Sequence, residues 1–585
     1  MRATGLATGA MRLPHRRWRV LAGDRDVEAL LVRQLGCAPL LARLLVNRGI
    51  TSPDHASTFL NPSFDTLADP FLLPDAECAI KRIRTALHRH ERVCVHGDYD
   101  VDGVTSAALW TRLLEKLGAD VSVHIPHRTR DGYDMRSKFI TQSHADGVKL
   151  VITTDSGTQR IGEVAQARAA GIDVVVTDHH EPGDRLPDAV AVVNPQRRDS
   201  RYPFRELAGV GVAFRLGEAL IRALGHSADS YRHAYSDLAA IGTVADIMRL
   251  AGENRAIVCQ GLSALRTTRK PGLQALMRTA RVRSDSVSAR VIGFVLGPRL
   301  NAIGRMDDAR LALELLLTRD AAEANALAQS LESANTQRQL EQGRILEAAA
   351  AQVDTMDLAE SGCLVLASDA WHPGIIGIVA NKLVERYHRP AVLISLDLES
   401  GIGHGSARST RPFDMFRAVS ACDSLLEEFG GHSHAAGLSI RHENIAAFAT
   451  SMCRLASEWL TPDDFIPVID ADAEIDASAV TEELVVALGA LEPYGRGNEE
   501  PILISRNAVI ADVVRMGKEG AHLKLRVSGD GAGAIDAVMW GEGAMAERIA
   551  PGERYDLCYR PSLNRYNGRT SVQFILEDLR VSESR

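Results

Sequence analysis

Between Arg92 and Leu250, short β-branched runs alternate with stretches of helical pattern, and this alternation restricts the fold more than any other feature of the chain. The runs are Val93–His96, Val121–Ile125, Leu150–Thr154, Val174–Thr177 and Ala191–Val193. Apolar runs this short, separated by helical crossovers, read as strands of a parallel sheet. Polar clusters follow directly after several of them: HGDYDVDG, DSGT and DHH. Ligands bind open α/β sheets beyond the carboxyl ends of the strands, so these clusters are expected to meet in one crevice.

The rest of the chain divides by pattern. At 585 residues it is too long for one hydrophobic core, and several compact units are expected. Residues 1–75 form an N-terminal segment and 76–300 the first α/β unit. A connector at 301–360 is rich in Ala, Leu, Glu, Gln and Arg from Asp307 to Val353, which predicts one long helix. A second α/β unit at 361–460 has strands expected at Cys363–Ala367 and Ala391–Ser395, with glycine-rich loops at GIGHGSARS and GGHSHAAG. From 465 to 585, short alternating strands separated by turns predict a small β-barrel. The fold class is therefore α/β and multidomain, with a C-terminal barrel.

Charge and cysteine usage narrow the function classes. The net charge of −8 gives no global basic footprint, so a nucleic-acid surface would have to be local. Three strips qualify: Lys81, Arg82, Arg84, Arg89 and Arg92; Arg128, Arg130 and Arg136; and Arg266, Arg269, Lys270, Arg278, Arg281 and Arg283. Taken alone, each strip reads first as a solvated helix face. Eight cysteines without C-x-x-C spacing argue against a disulfide framework and a cysteine zinc site, and fit the reducing cytoplasm. No window approaches the roughly 20 apolar residues that span a bilayer, so no membrane association is expected. The first twenty residues carry Arg2, Arg12, Arg16, Arg17 and Arg19 with no acid, and read as a frayed start.

Four clusters carry the chemistry. Asp98, Asp100 and Asp102 stand at alternate positions. On a strand they would share a face and repel unless cations lay between them. The same residues also read as an acidic surface turn. Asp155 closes an apolar run, where a metal ligand and a simple cap are both open readings. In Thr177-Asp178-His179-His180, adjacent histidines on a strand would face opposite ways, one toward a metal and the other toward a substrate phosphate. Gly242-Thr243-Val244-Ala245-Asp246 presents one carboxylate at the end of a small, apolar stretch. Carboxylates with imidazole suit Mn2+ or Mg2+ better than zinc, and a shared carboxylate could bridge two ions for phosphoester hydrolysis.

The ordered set HGDYDVDG, TTDSGT, TDHH and GTVAD resembles the four motifs of the DHH phosphoesterases. GPRLNAIGRMDDA, GSARS, GGHSHAAG and EPYGRGNEEP extend the likeness to the RecJ exonuclease family, over roughly residues 80 to 580. The resemblance implies a DHH catalytic domain, a DHHA1 substrate-binding domain and an oligonucleotide-binding (OB) barrel. It implies a metal sphere of Asp98, Asp100, Asp102, Asp155, His179 and Asp246, joined by His96, with His180 at the scissile phosphate. Asp155 and His179 count among the catalytic groups with His180. It places Arg299 and Asn301 on one wall of the crevice, and Ser406, Arg408, Gly431 and His432 on the other, with the amides of a glycine-rich turn forming an anion nest. Asp134 and Arg249 depart from the family pattern, which has glycine and proline there.

The activity implied is a metal-dependent, single-strand-specific 5′→3′ DNA exonuclease that releases 5′-mononucleotides in recombination and repair, using two ions. Single-stranded DNA is the partner, and family analogy adds a single-strand-binding protein and a helicase. In the barrel, Lys524, Arg526, Arg560, Arg565, Tyr566 and Arg569 could hold the strand. His522 reads as stacking or core, and Phe574 as core first. Two alternatives remain: a DHH phosphodiesterase for short oligonucleotides or cyclic dinucleotides, and a non-catalytic single-strand-binding replication factor.

Overall fold

The computed structural model describes residues 16–127, 134–306, 308–358, 360–528, 534–566 and 568–582. Arg2, Arg12, Arg128, Arg130 and Asp307, named above, lie outside the described residues.

Val93–Gly97, Val121–His124, Leu150–Thr154, Asp173–Thr177 and Ala191–Val193 form the expected all-parallel sheet. In space, Val121–His124 is one edge, followed by Val93–Gly97, Leu150–Thr154, Asp173–Thr177 and Ala191–Val193. The chain thus steps to one side of its first strand and then builds on the other. That reversal opens a crevice at the carboxyl ends of Val93–Gly97 and Leu150–Thr154. The central strands are buried on both faces because their Val, Ile and Thr side chains pack under helices. Val101–Lys116, Gly209–Ala223 and Ala228–Ala245 are the helices that carry site residues on their ends, around a core including Trp110 and Phe214.

The connector is two helices rather than one. Arg310–Leu317 ends at Thr318, and Asp320 caps Ala321–Val353 by accepting the Glu323 N–H at 2.8 Å. The capping residues Asp320 and Glu323 sit inside the Ala- and Leu-rich run, so composition alone does not mark the break.

The second α/β unit has a mixed five-stranded sheet in the order Leu426–His432, Ala435–Arg441, Ile402–Arg408, Ala391–Asp397, Leu364–Ser368. Of the segments expected as glycine-rich loops, the first is a strand and the second is a hairpin turning at Ser433 and His434. Their glycines permit close packing within the sheet: a Cβ on Gly405 would lie 2.7 Å from Leu438 Cδ1, and one on Gly403 2.6 Å from Ile394 Cγ2.

The C-terminal strands Leu503–Met516, His522–Ser528, Ile535–Met539, Arg569–Val581 and Arg554–Tyr566 pair in that order, and the last pairs back to the first to close a barrel. Phe574 is in its core, stacked on Tyr559 at 3.8 Å between ring centroids. The frayed-start expectation fails from residue 17 onward. Arg17–Val20 pairs in parallel with Val468–Ala471, and the Trp18 indole donates to Asp578 at 2.7 Å. A strand whose partner lies so far along the chain has no local signature beyond its alternation. The helices Arg25–Leu35 and Pro39–Asn47 share a core with Leu488 and Leu491, from the segment that enters the barrel.

Several of the basic residues are already committed to structure: Arg82 to Glu91 and Asp173, and Lys270 to Asp237. All eight cysteines are free. Among the described residues no helix is long and apolar enough to cross a membrane.

Candidate active site

The first motif is a strand, a tight turn and a helix start, so its three aspartates do not alternate along a strand as expected. Val93–Gly97 ends, Asp98 and Tyr99 turn, and Asp100 caps Val101–Lys116 by accepting the Gly103 N–H at 3.0 Å. A Cβ on Gly103 would lie 2.5 Å from the Asp98 carbonyl oxygen, so only glycine lets the turn close. Asp102, in the first helical turn, reaches the start of the helix Gly209–Ala223. It accepts the N–H groups of Gly209 at 2.6 Å and Val210 at 2.8 Å, a favourable place for an anion.

Asp155 follows Leu150–Thr154 in the left-handed region, with φ of 59°. Such a conformation at a buried non-glycine residue stores strain and is typical of functional sites. Its carboxylate fits only because residue 209 is glycine, where a Cβ would lie 2.7 Å from Asp155 Cβ. Asp246 comes from a helix, not a strand, capping the carboxyl end of Ala228–Ala245. A carboxylate is locally unfavourable there, against the helix dipole, which itself argues for a cation.

The two histidines follow the end of Asp173–Thr177, so strand alternation no longer separates them, and the expectation that they face opposite ways is corrected. Both rings meet Asp155, and they lie edge to face at 4.6 Å. His179 Nε2 is 3.1 Å from Asp155, 3.6 Å from Asp246 and 3.9 Å from Asp102. His180 Nδ1 is 2.8 Å from Asp178 and 3.9 Å from Asp155.

Three sets of ligand atoms gather within 4.8 Å of one another: Asp98, Asp100 and Asp155; Asp102, His179 and Asp246; and Asp155, His179 and His180. None of the five aspartates pairs with a lysine or arginine among the described residues, and buried Asp155 Oδ1 has no hydrogen-bond partner. Burial and the neighbouring carboxylates push Asp98 and Asp155 well above the usual carboxylate range. The same causes push Asp102 and Asp246 to about 7. Burial lowers His179, which favours the neutral imidazole that ligates metals. Such a pocket lacks only positive charge, and its oxygen-rich donor set fits Mn2+ or Mg2+.

Asp178 is the residue that sequence reasoning left without a role. It accepts the backbone N–H groups of His179 at 2.7 Å, His180 at 3.1 Å and Thr158 at 2.9 Å, as well as His180 Nδ1. Burial opposes the charge on His180, yet the Asp178 hydrogen bond raises its imidazole to about 9. In turn, His180 holds Asp178 below its ordinary value despite burial. The signal was the motif itself, an acid set immediately before two histidines. Asp134 also acquires a reason. It sits at φ of 67°, where glycine is the usual choice, and pairs with Arg160 at 2.8 Å while accepting the Gly157 N–H at 3.3 Å, which braces the Asp155 loop.

Not every expected residue joins the cluster. His96 is buried against Phe139 and His124, at 4.6 and 5.2 Å between centroids, and is in none of the three ligand sets. Burial, reinforced by His124, lowers it to about 3. Arg299, on the helix Gly297–Met306, forms a two-pronged pair with Glu332 of the connector, at 2.5 and 3.1 Å. Asn301 is partly buried on the same helix, which packs on the first motif: a Cβ on Gly304 would lie 3.0 Å from the Tyr99 carbonyl oxygen. Arg305, on that helix, donates to the Gly374 carbonyl at 3.1 Å and so reaches the second unit.

In the second unit Ser406 and Arg408 lie inside the strand Ile402–Arg408, paired on both sides. Their backbone amides belong to the sheet and do not form the expected nest, but their side chains share a face. Arg408 donates to Ser406 Oγ at 3.1 Å. A Cβ on Gly377 would lie 2.8 Å from Ser406 Oγ and 3.1 Å from Arg408 Nη2, which brings the first turn of Ile376–Tyr387 onto the pair. A helix start, a hydroxyl and a guanidinium are together the groups that could hold an anion. Gly431, at φ of 149°, precedes His432 at the turn into Ala435–Arg441.

A parallel sheet carrying a buried carboxylate–histidine cluster at its switch point defines a metal-dependent phosphoesterase of the DHH class. The DHH family N-terminal domain matches residues 92–243, the DHHA1 domain 360–458 and the RecJ OB domain 471–578. The single-stranded-DNA-specific exonuclease RecJ of Bacillus subtilis (strain 168) is 38% identical over 567 residues, 97% of this chain and 71% of that protein. The crystal structure of RecJ in complex with Mn2+ from Thermus thermophilus superposes with a TM-score of 0.83 at 31% identity, covering 97% of this chain and 80% of that one. The Mg2+ complex of that RecJ gives 0.78 at 30% identity, covering 97% and 79%. The chain belongs to the RecJ family of DHH phosphoesterases and is a hydrolase.

Proposed function

We propose that this chain is a metal-dependent, single-stranded-DNA-specific 5′→3′ exonuclease that releases 5′-mononucleotides in recombination and repair. The observation that carries the reading is the cluster of five aspartates and His179, buried or partly buried with no lysine or arginine partner among the described residues. The named activity of its relatives and the OB domain supply the substrate class.

The ligand sets support two ions, one held by Asp98, Asp100 and Asp155 and the other by Asp102, His179 and Asp246. Bound Mn2+ or Mg2+ would acidify the attacking water and offset charge on the displaced 3′ oxygen. Asp155, 3.1 Å from His179, links the two sets. His180, kept protonated through Asp178, donates Nε2–H to an oxygen of the scissile phosphate, and Asp178 fixes the ring for that contact. Ser406 and Arg408, with the helix start of Ile376–Tyr387, hold the terminal phosphate, and Gly431 and His432 flank it. Arg299 and Asn301 form the opposite wall, with Arg299 braced by Glu332. His96, within the first strand, packs against Phe139 and His124 instead of joining the ligand sets.

The labour divides over the units 76–300, 361–460 and 465–585, with 301–360 as the bridge and 1–75 as the brace. Free cysteines fit a cytoplasmic setting. An enzyme confined to single strands depends on whatever opens and coats them, which makes a helicase and a single-strand-binding protein the expected partners.

The test is degradation of long 5′-labelled single-stranded DNA by wild type and Asp155→Ala, with Mn2+ or chelator, beside duplex and 3′-labelled controls. Labelled mononucleotide should appear from the single strand alone, and both the substitution and chelation should abolish it. Activity confined to dinucleotides would overturn the reading.

A further inference from the structure

The segment between the second α/β unit and the barrel carries one cation, Arg496, whose backbone is bonded to the segment that follows Asp246. Arg255, buried in the helix Gly252–Arg266, donates to the carbonyls of Leu491 at 2.9 Å and Glu492 at 2.8 Å and lies 3.9 Å over the Phe59 ring. Just beyond, Gly495 and Asn498 pair across a two-residue turn. Asn498 is buried and donates to Leu491 and Pro493, while Arg48 donates to its side-chain carbonyl at 2.7 Å. Gly497, at φ of 74°, takes the turn position that glycine favours. The Arg496 carbonyl accepts the Leu250 N–H at 2.8 Å, four residues beyond Asp246.

At the tip of this pinned turn the Arg496 side chain is exposed, and its guanidinium has no hydrogen bond or ion pair among the described residues. A cation normally left mobile in solvent is here carried on a backbone fixed by buried contacts, so the position of its base costs the strand nothing to impose. Its charge also reaches the second unit. Burial, His434, Arg408 and Arg496 together lower His432. Arg496 is therefore tied by its backbone to the segment that follows Asp246, and its charge is felt at His432 of the second unit.

We infer that Arg496 is a positioning residue that binds a non-scissile internucleotide phosphate of the single strand, within the first few linkages beyond the cut. The inference rests on the exonuclease reading. By fixing that phosphate, Arg496 sets the register between the strand gripped by the barrel and the linkage delivered to Asp155 and His180. An arginine presented in this way offers a forked donor set for two phosphate oxygens, which lysine reproduces only as a point charge.

The experiment is a double-mutant cycle between protein and substrate. Wild type, Arg496→Gln and Arg496→Lys are each given single strands carrying one neutral methylphosphonate at the second, third or fourth linkage, and kcat/KM and thermal unfolding are measured. Arg496→Gln should lower kcat/KM about tenfold on unmodified DNA through KM, with unfolding unchanged. Lysine should restore part of the loss. At one linkage the methylphosphonate should weaken wild type by a similar factor and add nothing further in Arg496→Gln. Additive penalties at all three linkages, or a glutamine variant equal to wild type, would overturn the inference. A wild type that does not degrade unmodified single strands would instead defeat the exonuclease reading itself.

Discussion

The two α/β units place their polar side chains in different ways. In the first, the chemical groups sit just past strand ends and at helix ends, where Asp98, Asp155, His179 and Asp246 converge although the chain leaves the sheet between them. In the second, Ser406 and Arg408 lie within a strand hydrogen-bonded on both sides. A cluster of like charges needs turns that can be bent toward one point, and such turns are held by glycines and caps. Two side chains two residues apart on one rigid face could clamp a phosphate, and a central strand supplies that spacing unaided.

This contrast predicts a gradient of damage. Asp155→Ala removes a ligand common to two sets and should reduce the rate by on the order of 10²–10³-fold, in kcat rather than KM. Arg408→Ala should raise KM about 10–100-fold for a 5′-phosphorylated strand, with kcat little changed. Equal losses in kcat would place Arg408 in the chemistry and break the division between the units. Asp178→Asn keeps the shape but removes the charge that holds His180 protonated. Activity of wild type should fall as pH rises through about 9, and in the variant that limb should move toward lower pH. An unmoved limb would show that His180 does not titrate in the rate.

The smallest effect is on stability. Asp102 and Asp246 are raised to about 7, so the chelator-stripped protein is favoured when they are protonated and loses stability as pH rises from the ordinary carboxylate range through about 7. Mn2+ needs them deprotonated and should raise the unfolding temperature by a few degrees more at pH 8 than at pH 5. An equal or opposite dependence, read by calorimetry, would remove these two carboxylates from the ligand set.

The sequence alone determined the elements whose signal is local. Five short apolar runs marked the parallel sheet, and the acids and histidines that followed them were legible as the candidate site, down to Asp246. Short-range pairing in the barrel was legible in the same way, from alternation. What the tertiary structure decided was direction and partnership. Whether His179 and His180 diverge or converge depends on where the strand stops. Whether GSARS is a loop or a strand depends on Leu438 and Ile394, which make use of the space its glycines leave. The strand Arg17–Val20, the Arg255 clamp and the placement of Arg496 each depend on residues hundreds of positions away. Such contacts are fixed by packing and hydrogen-bond satisfaction over the whole molecule, and no local pattern in the chain records them.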